Sequence, residues 1–458
     1  MRRWASERAR HSAKLSRNHF PGRIVTPLRI SSYTATSCLG RGLDATTAAL
    51  RARRSGLARC AFETVSLDTW IGEVPDVDNI ELPTALADFD CRNNRLALMG
   101  LETDGFAEQV REAVARYGPA RVGVLLGTST SGILETELAY RRRDPVSGAL
   151  PDDFCYRTTH NPFSLAEFVR SYFGLEGVAM TVSTACSSSA KVFAAAARQL
   201  ALGTIDAAIV GGVDSLCLTS LYGFASLQLT APEPCRPYDL DRNGISIGEG
   251  AGFALLERAD ETSAGTVLLL GAGESSDAYH MSSPHPEGLG ARLAMASALA
   301  SARLEADDID YINLHGTSTQ ANDAAEGAAV AALFGNRVPC SSTKGATGHT
   351  LGAAGALEAI VCALALTGGF LPGSPGTQVV DPRIGVDYLR EGRSGVDLAR
   401  DFAPGNFGHD LGLVLAFQPA AANAAVLDCG GVCGVRGRVC AGVRAAGARP
   451  ARNFGAGR

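Results

Sequence analysis

Met180-Thr181-Val182-Ser183-Thr184-Ala185-Cys186-Ser187-Ser188-Ser189 begins as a strand-like run, turns through small polar residues, and continues into the Ala-rich helical stretch Ala190–Leu202. A strand that hands its chain directly to a helix is the unit of an α/β sheet, so this passage predicts an α/β fold. It also puts Cys186 where a helix begins. Free N–H groups and the helix dipole there favour a thiolate, which predicts a pKa below the ordinary cysteine value of about 8.5. Against that stands the commonest fate of a cysteine, a small buried residue, and Cys186 is one of 12 in the chain.

The same alternation extends in both directions. Strand-like runs at Val122–Leu126, Ala179–Val182, Ala207–Val210 and Phe253–Leu256 occupy one part of the chain. Val267–Leu270, Tyr311–Leu314, Val338–Ser341 and Leu413–Phe417 follow. Ala-rich helical stretches separate them, which predicts parallel strands with helices on both faces. Two α/β halves result, at 26–260 and 261–418. Residues 1–25 and 419–458 read as a basic extension and an Ala/Gly/Arg tail outside the core.

Composition narrows the function. A chain of 458 residues with 46% apolar content can bury one large core or two fused ones. The net charge of −5 conceals +6 on residues 1–23 and +5 on residues 419–458, leaving −16 for the body. So acidic a body argues against nucleic acid as a general partner, and any acidic partner needs a local basic patch. Leu351–Leu366 is strongly apolar but is interrupted by Glu358 and falls short of the roughly 20 residues of a membrane span, so it reads as a buried helix. The cysteines are scattered without a disulfide framework or a preceding signal segment, which fits a reducing cytoplasm. Cys429, Cys433 and Cys440 lack zinc-ligand spacing.

Two further turns carry reactive side chains. Asn313-Leu314-His315-Gly316-Thr317-Ser318-Thr319 follows a strand, and Asn322, Asp323 and Glu326 open the next helix, where capping suffices to explain Asn322 or Asp323. Ser342-Thr343-Lys344-Gly345-Ala346-Thr347-Gly348-His349 leads into Gly352, Gly355 and the apolar helix. Its glycines predict close backbone approach, and it lacks the order of a phosphate-binding loop. One cysteine, two histidines and a lysine, each after a strand, make a constellation for acyl transfer. From the residues alone a thiol protease, a thioesterase and a carbon–carbon bond-forming enzyme stay equally open.

At these residues the chain resembles the β-ketoacyl-acyl-carrier-protein synthases, elongating condensing enzymes of the thiolase superfamily. The resemblance is carried by T-A-C-S-S-S at 184–189, H-G-T-S-T-Q-A-N-D-A-A-E at 315–326 and K-G-A-T-G-H-T-L-G-A-A-G at 344–355, in the family's order. Gly211-Gly212-Val213-Asp214, the Arg236–Gly244 stretch and Gly248-Glu249-Gly250-Ala251-Gly252 add to it, and it spans about 27–418. It implies a thiolase-like fold of two similar α/β halves layered αβαβα. It further implies that Cys186 carries an acyl group as a thioester and that His315 and His349 bind the malonyl thioester and promote its decarboxylation. Lys344 would orient the site electrostatically in company with Glu326, with Asp323 structural. The implied partners are an acyl carrier protein, which brings its own phosphopantetheine arm, and a second copy in a homodimer. No metal or organic cofactor is implied.

The second histidine separates branches of the family. Initiating enzymes that use acyl-coenzyme A typically have asparagine there, and a catalytically dead partner subunit would lose the cysteine. One stretch departs from the pattern. Where the family has a glycine-rich loop of the form N-x-F-G-F-G-G-x-N, this chain has Gly405-Asn406-Phe407-Gly408-His409-Asp410-Leu411-Gly412. By resemblance, Phe407, Gly408 and His409 occupy the loop that completes the oxyanion hole and gates the acyl pocket.

Overall fold

The computed structural model describes residues 26–260, 263, 265–280, 283–396, 405–406 and 411–418. The basic ends and the loop residues Phe407, Gly408 and His409 lie outside the described residues. The strands that position the site are β1 Leu28–Ser37, β2 Val122–Gly127, β3 Ala179–Val182, β4 Ala207–Asp214, β5 Gly250–Arg258, β6 Thr266–Glu274, β7 Ile312–Asn313, β8 Pro339–Ser341, β9 Asp387–Tyr388 and β10 Leu411–Gln418. Every strand-like run of the sequence falls on one of them. The helices packed against these strands include α1 Arg92–Leu101, α2 Phe106–Tyr117, α3 Ile133–Arg141, α4 Phe163–Tyr172, α5 Ser188–Leu202, α6 Leu218–Ser226, α7 Leu289–Ala302, α8 Gln320–Phe334 and α9 Ala354–Gly368.

The large sheet runs β10-β6-β1-β5-β4-β2-β3, and a short sheet runs β7-β8-β9. Among these strands, β4, β2 and β3, and the three short strands, are the parallel ones. The remaining pairs are antiparallel, which corrects the expectation of parallel strands throughout. β5 and β6 are consecutive, yet β1 lies between them and both run against it. β5 is buried along nearly its whole length, so it shows the continuous apolar run of a parallel strand.

Side chains alternate between two cores, as the period of a strand demands. From β4, Ala208 and Val210 join a core built around α5 and α9, together with residues of β1, β2, β5, β6 and β10. Ala207, Ile209 and Val213 point the other way, onto α1, α2 and α4. α7 and α8 cover β7 and β8. The order is αβαβα, with α5 and α9 as the inner helical layer. Segment Leu351–Gly368 has the length and mean hydropathy (1.8) of a membrane span, but 89% of it is buried inside the protein, as befits that layer.

Glycine lets the inner layer sit close. A Cβ on Gly127 would lie 2.2 Å from the Ser189 amide nitrogen, so only a residue without one allows α5 to start against β2.

Candidate active site

The nucleophile elbow is a strained turn held by its own serines. Ala185 has φ +53°, a left-handed conformation unusual for a residue with a Cβ. Thr184 N–H donates to Ser188 Oγ at 2.8 Å, and the carbonyl of Ala185 accepts Ser188 Oγ–H and, at 3.1 Å, Ser129 Oγ–H. Ser189 Oγ accepts the N–H of Ala356 at 2.9 Å, tying α5 to α9. Cys186, between β3 and α5, is thereby aimed at the start of the opposite inner helix.

There it meets His349, whose Nε2 lies 3.0 Å from Cys186 Sγ. His349 Nδ1 accepts the N–H of Leu351 at 3.2 Å. Burial, with Lys344 adding to it, holds the His349 pKa well below its usual value, so the ring is neutral. With Nδ1 an acceptor, the one ring proton belongs on Nε2, facing the sulfur. His315 follows the same logic. Lys344 Nζ reaches His315 Nδ1 at 3.1 Å, the His315 carbonyl at 2.6 Å, and Glu358. Three ammonium protons have three acceptors, so His315 Nδ1 accepts and its proton also belongs on Nε2. The two rings stand edge to face, 5.0 Å apart. They form a pair of N–H donors beside a thiol.

The carboxylates have different tasks from those the sequence suggested. Lys344 pairs with Glu358, both nearly fully buried, rather than with Glu326. Glu326 instead accepts the N–H groups of His315 at 2.7 Å and Gly316 at 2.9 Å, fixing the backbone of the histidine turn. Burial raises its pKa to about 8. The α8 cap is Thr319, whose Oγ1 accepts from Asn322 N–H, rather than Asn322 or Asp323. Asp323 accepts from Tyr238 N–H and Ser318 N–H. Sequence reasoning missed Glu358 and Asp214. Glu358 carried a signal, since a lone acid inside an apolar helix needs a buried partner. Asp214, at the end of β4, accepts Thr128 Oγ1–H at 2.6 Å, the N–H groups of Ser129 and Thr130 at 2.7 and 2.9 Å, and Gly352 N–H.

The thiol itself differs from expectation. Burial pushes the Cys186 pKa up to about 12, against the pull of the Lys344 ammonium, so the helix start does not act on it alone. Cys186 is part of the wall of a cavity of about 180 Å³ that Thr130, Ile133, Cys217, Phe224 and Leu351 also line.

The sulfur and nitrogen atoms of Cys186, His315 and His349 lie within 4.8 Å of one another, close enough to suggest a metal centre. The tautomers argue against one. A metal on Nε2 requires Nδ1 to carry the proton, and in both rings Nδ1 faces a donor.

Comparison with known proteins identifies the family. Residues 30–262 match the model of the beta-ketoacyl synthase N-terminal domain, and 267–378 that of the C-terminal domain. The chain is 39% identical over 269 residues to nodulation protein E of Rhizobium leguminosarum bv. trifolii, covering 56% of this chain and 65% of that protein, just under two thirds of its length. It is 32% identical over 386 residues to 3-oxoacyl-[acyl-carrier-protein] synthase 2 of Vibrio cholerae, covering 79% of this chain and 89% of that one. Among solved structures it resembles a ketosynthase, ApeO, from Xenorhabdus doucetiae, determined in complex with its chain length factor, ApeC. The TM-score is 0.77 at 35% identity, covering 86% of this chain and 98% of that one.

Proposed function

From the premise that the chain belongs to the β-ketoacyl synthase family, we propose that it performs a decarboxylative Claisen condensation on carrier-bound thioesters. The observation that carries this reading is the pair of Nε2–H donors beside Cys186. A hydrolase or protease needs a base to activate a nucleophile or water, whereas both rings present protons, which suits an oxyanion.

The steps follow from the atoms. Cys186 sulfur attacks an acyl thioester on an acyl carrier protein; the new C–S bond forms, and the carrier thiol departs with the proton. Malonyl carrier protein then enters, and its thioester oxygen accepts from His315 and His349. The bond to the carboxylate breaks, carbon dioxide leaves, and the electron pair is held as an enolate by the two donors. The enolate carbon attacks the Cys186 thioester, whose C–S bond breaks to return the thiolate. The product is a β-ketoacyl carrier protein two carbons longer, in fatty-acid, polyketide or polyene-lipid synthesis. Lys344 supports this by fixing His315. No metal or organic cofactor enters, the phosphopantetheine being the carrier's own. The reaction belongs in the cytoplasm.

The outer edge of β3, at the end of the sheet next to the elbow, suits pairing with a second subunit, in keeping with the complexes that some structural relatives form. A homodimer is the first expectation. A second reading is a non-catalytic partner subunit of a ketosynthase heterodimer, favoured by the departure at 405–412. Retention of Cys186 weighs against it.

Intact-protein mass spectrometry with acyl carrier protein, followed by malonyl carrier protein, tests the proposal. The expected result is an acyl adduct on Cys186, then carbon dioxide and β-ketoacyl carrier protein in equal amounts. A folded sample that takes no adduct sinks it, and free acid without carbon dioxide indicates hydrolysis. Normal elongation by an obligate heterodimer carrying Cys186→Ala would favour the partner-subunit reading.

A further inference from the structure

Asp214 closes a ring of contacts that runs through two of the reacting side chains. It ends β4, is fully buried, and has no ion-pair partner among the described residues. A carboxylate so placed is costly unless donors converge on it, and here they come from two separate segments. Oδ1 accepts Thr128 Oγ1–H at 2.6 Å, the N–H groups of Ser129 and Thr130 at 2.7 and 2.9 Å, and Thr130 Oγ1–H at 3.0 Å, while Oδ2 accepts Gly352 N–H. On one side, Ser129 Oγ–H donates to the Ala185 carbonyl at 3.1 Å, one residue before Cys186. On the other, Gly352 follows Leu351, whose N–H donates to His349 Nδ1 at 3.2 Å. The ring closes where Cys186 Sγ meets His349 Nε2 at 3.0 Å. Its two sides are already in contact. A Cβ on Gly352 would lie 2.7 Å from Ser129 Oγ and 2.8 Å from Asp214 Oδ2.

We propose that Asp214 is the positioning residue that couples decarboxylation to carbon–carbon bond formation, by fixing the nucleophile turn and the His349 turn at one separation. The inference rests on the ketosynthase reading above. Decarboxylation uses the histidine donors alone, whereas condensation also needs the enolate carbon within reach of the Cys186 thioester carbon. An error of about 1 Å in that reach costs on the order of 10²-fold, and the waiting enolate then takes a proton from water. Uncoupled turnover therefore releases carbon dioxide, converts malonyl carrier protein to acetyl carrier protein, and leaves the Cys186 thioester in place. An amide cannot replace the carboxylate here. Both oxygens face donors, so the NH2 group of an asparagine would stand against N–H or O–H groups on one side of the ring.

The test is a single turnover of the full chain, acylated on Cys186 from butanoyl carrier protein and then given equimolar malonyl carrier protein. Intact mass reads the ratio of acetyl to β-ketoacyl carrier protein, beside the carbon dioxide released. In the unaltered chain the β-ketoacyl product predominates. Asp214→Asn raises the ratio at least about tenfold, a fraction of the cost of full misplacement. Ser129→Ala keeps the backbone bond to Asp214 and removes only the Oγ–H bond to Ala185, at an exposed position where the fold tolerates it. It raises the ratio about threefold, the scale of one neutral hydrogen bond. A role for Asp214 in stability alone lowers both products in proportion to folded protein and leaves the ratio unmoved. An unchanged ratio in folded Asp214→Asn overturns the coupling role while leaving the ketosynthase reading intact; where that variant does not fold, an unchanged ratio in Ser129→Ala does the same. An unaltered chain that takes no acyl group or releases no carbon dioxide overturns both.

Discussion

Leu351 donates its backbone N–H to Nδ1 of His349 at 3.2 Å, and this contact makes the face of His349 turned toward Cys186 a donor rather than a base. Replacing His349 with Leu removes the donor. Malonyl decarboxylation, measured as carbon dioxide release without an acyl primer, is expected to fall by about 10²–10³, the usual loss for one oxyanion donor. His349→Asn, which restores an N–H, is expected to recover part of it. Equal losses in the two variants would assign His349 a different role.

The same ring predicts a pH response. A cation-forming group whose pKa is depressed stays neutral above the depressed value, so His349 keeps one protonation state across the range where an ordinary histidine titrates. Carbon dioxide release should therefore show no inflection near pH 6.5 attributable to this ring. An inflection there that vanishes in His349→Asn would contradict the assignment.

The thiol predicts the opposite limb. With the Cys186 pKa raised to about 12 by burial, the thiolate fraction grows with pH throughout the accessible range. Alkylation of Cys186 by iodoacetamide should accelerate about tenfold per pH unit between roughly pH 7 and 9. A plateau beginning below about pH 8 would mean that the helix start, Lys344 and the Nε2–H groups together outweigh burial.

Lys344 and Glu358 can be separated from the chemistry by a double replacement. Lys344→Met alone strands a buried carboxylate and is expected to lower unfolding free energy by about 3–5 kcal/mol in urea titration. Lys344→Met with Glu358→Leu should regain much of that stability, because no uncompensated charge is left. Decarboxylation should stay low in both, since His315 Nδ1 loses its donor. Recovery of activity along with stability would reduce Lys344 to a structural residue.

Gly127 tests the packing beneath the elbow. Gly127→Ala forces β2 and the start of α5 apart, at about 1–3 kcal/mol, and displaces Cys186 from His349. Adduct formation should fall well beyond the loss of folded protein, which circular dichroism would report.

How much of this was legible in the sequence varied with how local the cause was. The elbow, the histidine turns and the position of every strand run follow from residues close together in the chain. Sheet direction did not, because a strand buried on both faces reads the same whichever way its neighbour runs. Nor did the partner of Lys344: Glu326 and Glu358 are both acids on helices near a reactive turn, and only the packing of α9 against the elbow selects Glu358.

The place of β1 in the middle of the large sheet sets a timetable for making the protein. Ser37 pairs with Gly250, and Leu28 pairs with Leu269 on the other side, so apart from a two-residue hairpin with Gly40–Arg41 this strand has no neighbour until more than two hundred further residues exist. At about 5–20 residues per second, a ribosome leaves that strand waiting for roughly 10–45 s. During that interval β1 lacks both of its long neighbours, and Cys186 has no histidine to face. The catalyst is therefore completed only once His349, well beyond both long neighbours of β1, has been made.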